Sequence, residues 1–203
     1  MTEAPGEVAA AQLHLCRRAG TGPPLVLAHG GVSDSRQWRD QLEELSDEFT
    51  VIAWDAPGCG GSSDPPEPFR LTEYADCLAG FVVALGLHRP CILGHSFGGG
   101  LALEPHSIPG LFSAAMAPEE VALLLTVMSE ARPVATRTMA QAFAEADLRD
   151  LLPQVTVPTL LIYGDADVRA PRPVADQLHQ AIPGAELVLL PDASHRATMT
   201  PPR

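Results

Sequence analysis

The stretch Pro90-Cys91-Ile92-Leu93-Gly94-His95-Ser96-Phe97-Gly98 decides the reading of this chain. Residues 90–94 form a short apolar run of strand length. Gly-x-Ser-x-Gly follows, and residues 96–103 suit a helix. A strand that turns sharply into a helix with serine at the apex crowds its own backbone. The positions two before and two after the serine approach neighbouring backbone closely, so glycine fits there. Five residues alone are a weak signal, because glycine-rich turns also occur with an incidental serine. The strand before and the helix after supply the context that the string requires.

Outward from this turn the pattern alternates short apolar strands, Gly/Pro/Asp turns and amphipathic helices. That alternation predicts an α/β protein with a mostly parallel sheet flanked by helices. Strands are expected over 13–17, 24–28, 50–55, 90–94 (a buried one), 159–163 and 186–190. Helices are expected over 38–47, 71–87 with Thr72 as N-cap, 96–103, 118–131, 133–150 and 173–182. Residues 56–68 form a loop rich in glycine and proline. The sequence contains no internal repeat and no low-complexity segment.

Three further strings follow predicted strands. His29-Gly30-Gly31 closes the strand over 24–28, and Gly164-Asp165-Ala166-Asp167 closes that over 159–163. Asp192-Ala193-Ser194-His195 follows the last strand. Together with Gly94-His95-Ser96-Phe97-Gly98, and with Asp55-Ala56-Pro57-Gly58-Cys59-Gly60-Gly61-Ser62 between them, the chain resembles the α/β-hydrolase fold family over nearly its whole length. The resemblance implies a serine hydrolase, esterase-like, with Ser96 as nucleophile, His195 as general base and acid, and Asp167 as the carboxylate that orients His195. Asp165 is the alternative acid. The oxyanion hole would be the backbone N–H groups of Gly31 and Phe97, with Val32 as a substitute for Gly31. His29 would orient its loop, and the loop from Asp55 would be structural. Cys59 has nothing beside it that would lower its pKa. The other histidines (His14, His88, His95, His106 and His179) lack the placement of His195 and read as surface or packing residues.

The sequence departs from that family twice. After the serine the family has another sheet strand and a helical cap. Here Glu104-Pro105-His106 breaks the helix, and no convincing strand precedes the helices from Pro118. Residues 111–116 are the one candidate substitute. The chain therefore reads as a single domain, 1–203, lacking one strand and part of the cap, with 105–150 as a reduced helical cap-like segment. The second departure is the end, Thr200-Pro201-Pro202-Arg203, where the family carries a last helix. Without it the last strand and the His195 loop would be less covered. Two functions follow. One is hydrolysis of a small ester, thioester or related acyl substrate through an acyl-enzyme. The other is a catalytically impaired remnant acting as a binding or interaction protein.

Composition narrows the partners. The net charge of −12 repels a phosphate backbone, so nucleic acid is not an expected partner. Mean hydropathy is +0.08, but no apolar run approaches the ~20 residues of a membrane span. The first ten residues hold Glu3 and Glu7 and no Lys or Arg, unlike a secretory leader, so a cytoplasmic protein is expected. Cys16, Cys59, Cys77 and Cys91 lack metal-like spacing and read as free thiols in or near the core. The expected partner is a small-molecule acyl substrate. The chemistry requires neither a metal nor an organic cofactor.

Overall fold

The structure, a computed structural model, describes residues 16–99 and 118–196. The expected strand residues 13–15, helix residues 100–103, the break at Glu104-Pro105-His106, the substitute strand 111–116, His14 and the C-terminal Thr200-Pro201-Pro202-Arg203 lie outside these. The described residues fall into two compact units: 16–99 with 124–146, and 118–123 with 147–196.

In the first unit, strands β1 (Cys16–Ala19), β2 (Pro24–Ala28), β3 (Thr50–Trp54) and β4 (Cys91–Gly94) form one sheet in the order β1-β3-β2-β4. β2 runs parallel to both neighbours, with Val26 opposite Ile52 and Ile92. β1 adds an antiparallel edge, Cys16 opposite Trp54. β2 and β3 lie between other strands and read as continuous apolar runs, PLVLA and TVIAW, because both of their faces are covered. Alternate residues serve opposite faces. Val26, Ala28, Ile52 and Trp54 pack with Tyr74, Phe81, Phe97, Met139 and Phe143. Leu25, Leu27, Val51 and Ala53 pack with Trp38 and Leu42.

Helix α1 (Arg39–Glu44) follows a 3-10 turn at Ser35–Trp38, shorter than the helix expected over 38–47. Asp34 caps that turn by accepting the Arg36 N–H at 2.9 Å. Helix α2 (Leu71–Ala84) is capped at Arg70 rather than Thr72. The Glu73 carboxylate accepts the Arg70 N–H at 2.9 Å and the Thr72 hydroxyl at 3.1 Å, so Thr72 lies inside the first turn. Helices α3 (Pro118–Ser129) and α4 (Pro133–Glu145) follow. α4 stops at Glu145 rather than 150, and its Ala135, Met139, Ala142 and Phe143 join the core over β2 and β3.

Strand β4 is not buried as expected: Cys91 is exposed and Ile92 is 54% exposed. The reason is topological, since β2 is the one ladder partner of β4 among the described residues. Cys91 is accordingly not a core thiol, whereas Cys59 is buried. In the second unit, β5 (Leu160–Gly164) and β6 (Glu186–Leu190) pair in parallel, Ile162 opposite Val188, joined through helix α5 (Arg172–Ala181). The described strands thus form two ladders, one of four strands and one of two.

The loop from Asp55 is structural, as its sequence suggested. The buried Asp55 carboxylate accepts the Ser35 N–H at 2.6 Å and the Gly61 N–H at 3.1 Å. The Ser62 hydroxyl donates to the Asp55 carbonyl at 2.6 Å. Arg132 ties the loop to the start of α4, donating to the carbonyls of Gly58 and Ser62 and pairing with Asp64 at 2.9 Å. Removing the Asp55 carboxylate strands the buried Ser35 N–H and breaks the bond from the exposed Gly61 N–H. Asp55→Ala should therefore cost about 2–4 kcal/mol in urea unfolding at unchanged m-value. A loss below about 1 kcal/mol would show that the loop does not depend on this carboxylate.

Candidate active site

Ser96 stands where β4 ends and a 3-10 turn, Ser96–Gly99, begins. Its φ is 51°, a left-handed conformation that a non-glycine residue adopts only where the surroundings over-determine it. Those surroundings are specific. The His95 N–H donates to the Ala28 carbonyl at 3.0 Å, and the Gly98 N–H donates to the His29 carbonyl at 3.2 Å and the His95 carbonyl at 2.9 Å. A Cβ on Gly98 would lie 2.3 Å from the Ala28 oxygen, so glycine is required there. The turn is thereby stitched to the end of β2, and Ser96 is buried.

His29 holds the neighbouring loop as expected. It is buried, its Nδ1 donates to the Gly30 carbonyl at 2.7 Å, and its Nε2 accepts the Ala56 N–H at 3.0 Å. Gln37 adds an acceptor for the Gly30 N–H at 3.4 Å. Gly31 follows at the tip, and Val32 next to it has a φ of 55°. Phe97 is buried against Tyr74 and Phe143, ring centroids 5.0 and 4.9 Å away. Ser96, Phe97 and Gly31 all belong to the first unit.

Asp167 and His195 belong to the second unit and meet there. His195 Nδ1 is 2.8 Å from Asp167 Oδ2, and both side chains are less than a tenth exposed. The other Asp167 oxygen accepts the N–H groups of Arg169 at 2.8 Å and Ala170 at 3.0 Å. Burial opposes the Asp167 charge. The His195 hydrogen bond and the backbone donors outweigh it and hold the carboxyl below its ordinary value of 3.8. Asp165 does not touch the histidine. Its Oδ1 accepts the Asp192 N–H at 2.7 Å. Val188 of β6 and the loop residues Pro191 and Asp192 are exposed, as expected, whereas Ala193 and Ser194 are buried. At Ala193 the loop lies close to β5: a Cβ on Gly164 would meet the Ala193 oxygen at 2.0 Å.

With this geometry in view, the relatives become informative. Residues 23–118 match the family model described as alpha/beta hydrolase fold. An uncharacterized protein of Mycobacterium tuberculosis is 26% identical, covering 88% of this chain and 72% of its own. A pimeloyl-[acyl-carrier protein] methyl ester esterase of Nitrosomonas europaea is 28% identical over 91% of this chain and 93% of its own. A thermophilic esterase from Thermogutta terrifontis superimposes with a TM-score of 0.77 at 26% identity, covering 92% of this chain and 87% of that one.

Residues 23–118, just under half of the chain, thus match the α/β-hydrolase fold, and the chain shares that fold with the Thermogutta terrifontis esterase. In the Mycobacterium alignment, 88% of this chain's 203 residues face 244 aligned positions, so that relative carries many positions with no counterpart here.

A cavity of about 410 Å3 opens in the first unit of this hydrolase between residues 32–36, the 58–61 loop and residues 127–139. Val32, Cys59, Val127, Ala135 and Met139 supply its apolar lining, and Ser96 does not line it. Arg36 crosses it, pairing with Asp34 at 2.7 Å and Glu130 at 2.5 Å. The sequence reading missed this pairing; the one available signal was the Asp34-Ser35 start, typical of a capped turn. No helix among the described residues is long and apolar enough to cross a membrane.

The lowered Asp167 pKa fixes a pH dependence. A carboxyl depressed on folding contributes stability above its ordinary value, and that contribution is lost as pH falls through the folded value. The melting-temperature gap between wild type and Asp167→Asn should be full near neutrality and should close as pH drops below 3.8. A gap that widens on acidification would contradict the assignment. The thiols give a second test. Burial, reinforced by the Asp34 and Asp55 carboxylates, pushes the Cys59 thiol up to about 12. Iodoacetamide should alkylate exposed Cys91 in the native protein and leave Cys59 unmodified until unfolding, as peptide mass mapping would record.

Proposed function

We propose that this α/β-hydrolase is a serine hydrolase acting on a small ester, thioester or related acyl substrate. In this reading Ser96 Oγ attacks the acyl carbon and passes its proton to His195 Nε2. The N–H groups of Gly31 and Phe97 receive the negative oxygen. Collapse of the tetrahedral intermediate breaks the bond to the leaving group, which takes the proton from His195. Water then attacks the acyl-Ser96 carbonyl, giving its proton to His195, and the carboxylic acid departs as Ser96 recovers the proton. Every proton is accounted for between Ser96, His195, leaving group and water, so the reaction draws on no cofactor.

The observation that carries the reading is the His195–Asp167 hydrogen bond. It engages Nδ1, so Nε2 is the ring nitrogen that would exchange the serine proton. The left-handed Ser96 supports the same reading from the other unit. The reading requires Ser96 Oγ and His195 Nε2 to come within hydrogen-bond reach. It also treats 1–203 as one hydrolase domain with 105–150 as a reduced cap-like segment.

The division of the described strands into ladders of four and two favours a second reading, in which the chain is a catalytically impaired remnant acting as a binding or interaction protein. Fluorophosphonate treatment followed by intact-mass analysis separates the two. The serine-hydrolase reading predicts one adduct on Ser96, abolished in Ser96→Ala and lowered at least ~100-fold in rate in His195→Ala. Folded protein that gains no adduct would transfer the weight to the second reading.

A further inference from the structure

The second carboxylate of the Gly164–Asp167 loop has a task of its own. The Asp165 N–H donates to the Leu190 carbonyl at 3.0 Å, and its side chain accepts the Asp192 N–H at 2.7 Å. The next residue continues the lacing, with the Ala166 N–H donating to the Ala193 carbonyl at 3.0 Å. Asp192 is held at a φ of 56°, a left-handed conformation for a residue with a side chain. Three residues further on comes His195, bonded to Asp167. Asp167 therefore grips the imidazole itself, while Asp165 grips the backbone of the loop that delivers it.

We propose that Asp165 is a positioning residue for His195, acting through the Asp192 N–H rather than through its charge. This rests on the serine-hydrolase reading for its consequence in catalysis but not for its consequence in geometry. Asp165 is exposed, so its hydrogen bond adds little to global stability. Its effect is local. Without the acceptor, the left-handed Asp192 loses its fixing point, and the His195 ring samples orientations away from Asp167. Displacements of about 1 Å in a catalytic group can cost ~100-fold in rate. A loop still held by the Ala166 and Leu190 bonds should lose about tenfold.

The test compares wild type, Asp165→Asn and Asp165→Ala. An asparagine oxygen can accept the same N–H without charge, whereas alanine cannot. Two quantities are read: the second-order rate of fluorophosphonate labelling at Ser96, and the downfield proton resonance of the His195 Nδ1–H, assigned by its absence in His195→Gln. The expected result is wild-type behaviour in Asp165→Asn. Asp165→Ala should label about tenfold more slowly, with a broadened or missing resonance and an unchanged melting temperature. Equal losses in both variants would assign the effect to charge and overturn the proposal, as would a wild-type rate and resonance in Asp165→Ala. If wild-type protein is not labelled at all, the serine-hydrolase reading fails. The resonance then still decides whether Asp165 positions the histidine.

Discussion

One buried imidazole gathers the first unit. His29 accepts the Ala56 N–H beyond the end of β3, while its own carbonyl accepts the Gly98 N–H beyond the end of β4. The carboxyl ends of three parallel strands are thereby tied at one residue. Parallel sheets present their ligand sites at this end, because the loops that follow the strands converge there. His29 has no outward role in this account. Its ring, with Nδ1–H donating to the Gly30 carbonyl and Nε2 accepting the Ala56 N–H, fixes the loop bearing Gly31 against the loop after β3, while its backbone carbonyl holds the turn bearing Ser96. A side chain without both a donor and an acceptor could not make both ring bonds.

The second unit solves the same problem differently. Among its described residues it has two strands, and its loops are laced mostly by backbone and carboxylate groups. Asp165 and Asp167 face different partners two residues apart, one the loop backbone and the other the imidazole. The buried Arg196 beside this loop has its pKa drawn down to about 10, mainly by burial with Arg169 contributing. The described strands form one sheet of four and one of two.

Much of this was legible in the sequence, for physical reasons. The strands β2 and β3 declared themselves as apolar runs because both faces are covered. The Gly94–Gly98 string declared the turn because Gly98 sits against Ala28, where no Cβ fits. Asp167 was preferred over Asp165 by position; in the structure Asp167 lies 2.8 Å from His195 Nδ1, while Asp165 accepts the Asp192 N–H. What escaped the sequence was mostly tertiary. The exposure of β4 depends on which strand lies beside it, and local composition does not encode that. The capping of α2 by Glu73 upon Arg70 depended on where the helix began, a boundary that propensity places only to within a residue or two. The Arg36 link to Glu130 joins residues 94 apart, beyond the reach of any pattern in the chain.

The proposed serine hydrolysis requires Ser96 and His195 to form one site. The measurement that tests it most directly is the Ser96 Oγ to His195 Nε2 separation in a crystal structure of the fluorophosphonate-treated protein. The account predicts a phosphonyl group on Ser96, its oxygen within ~3.1 Å of the Gly31 and Phe97 N–H groups, and His195 Nε2 within ~3.2 Å of Oγ. An unmodified Ser96 with the His195–Asp167 pair intact but beyond hydrogen-bond reach of it would contradict the account.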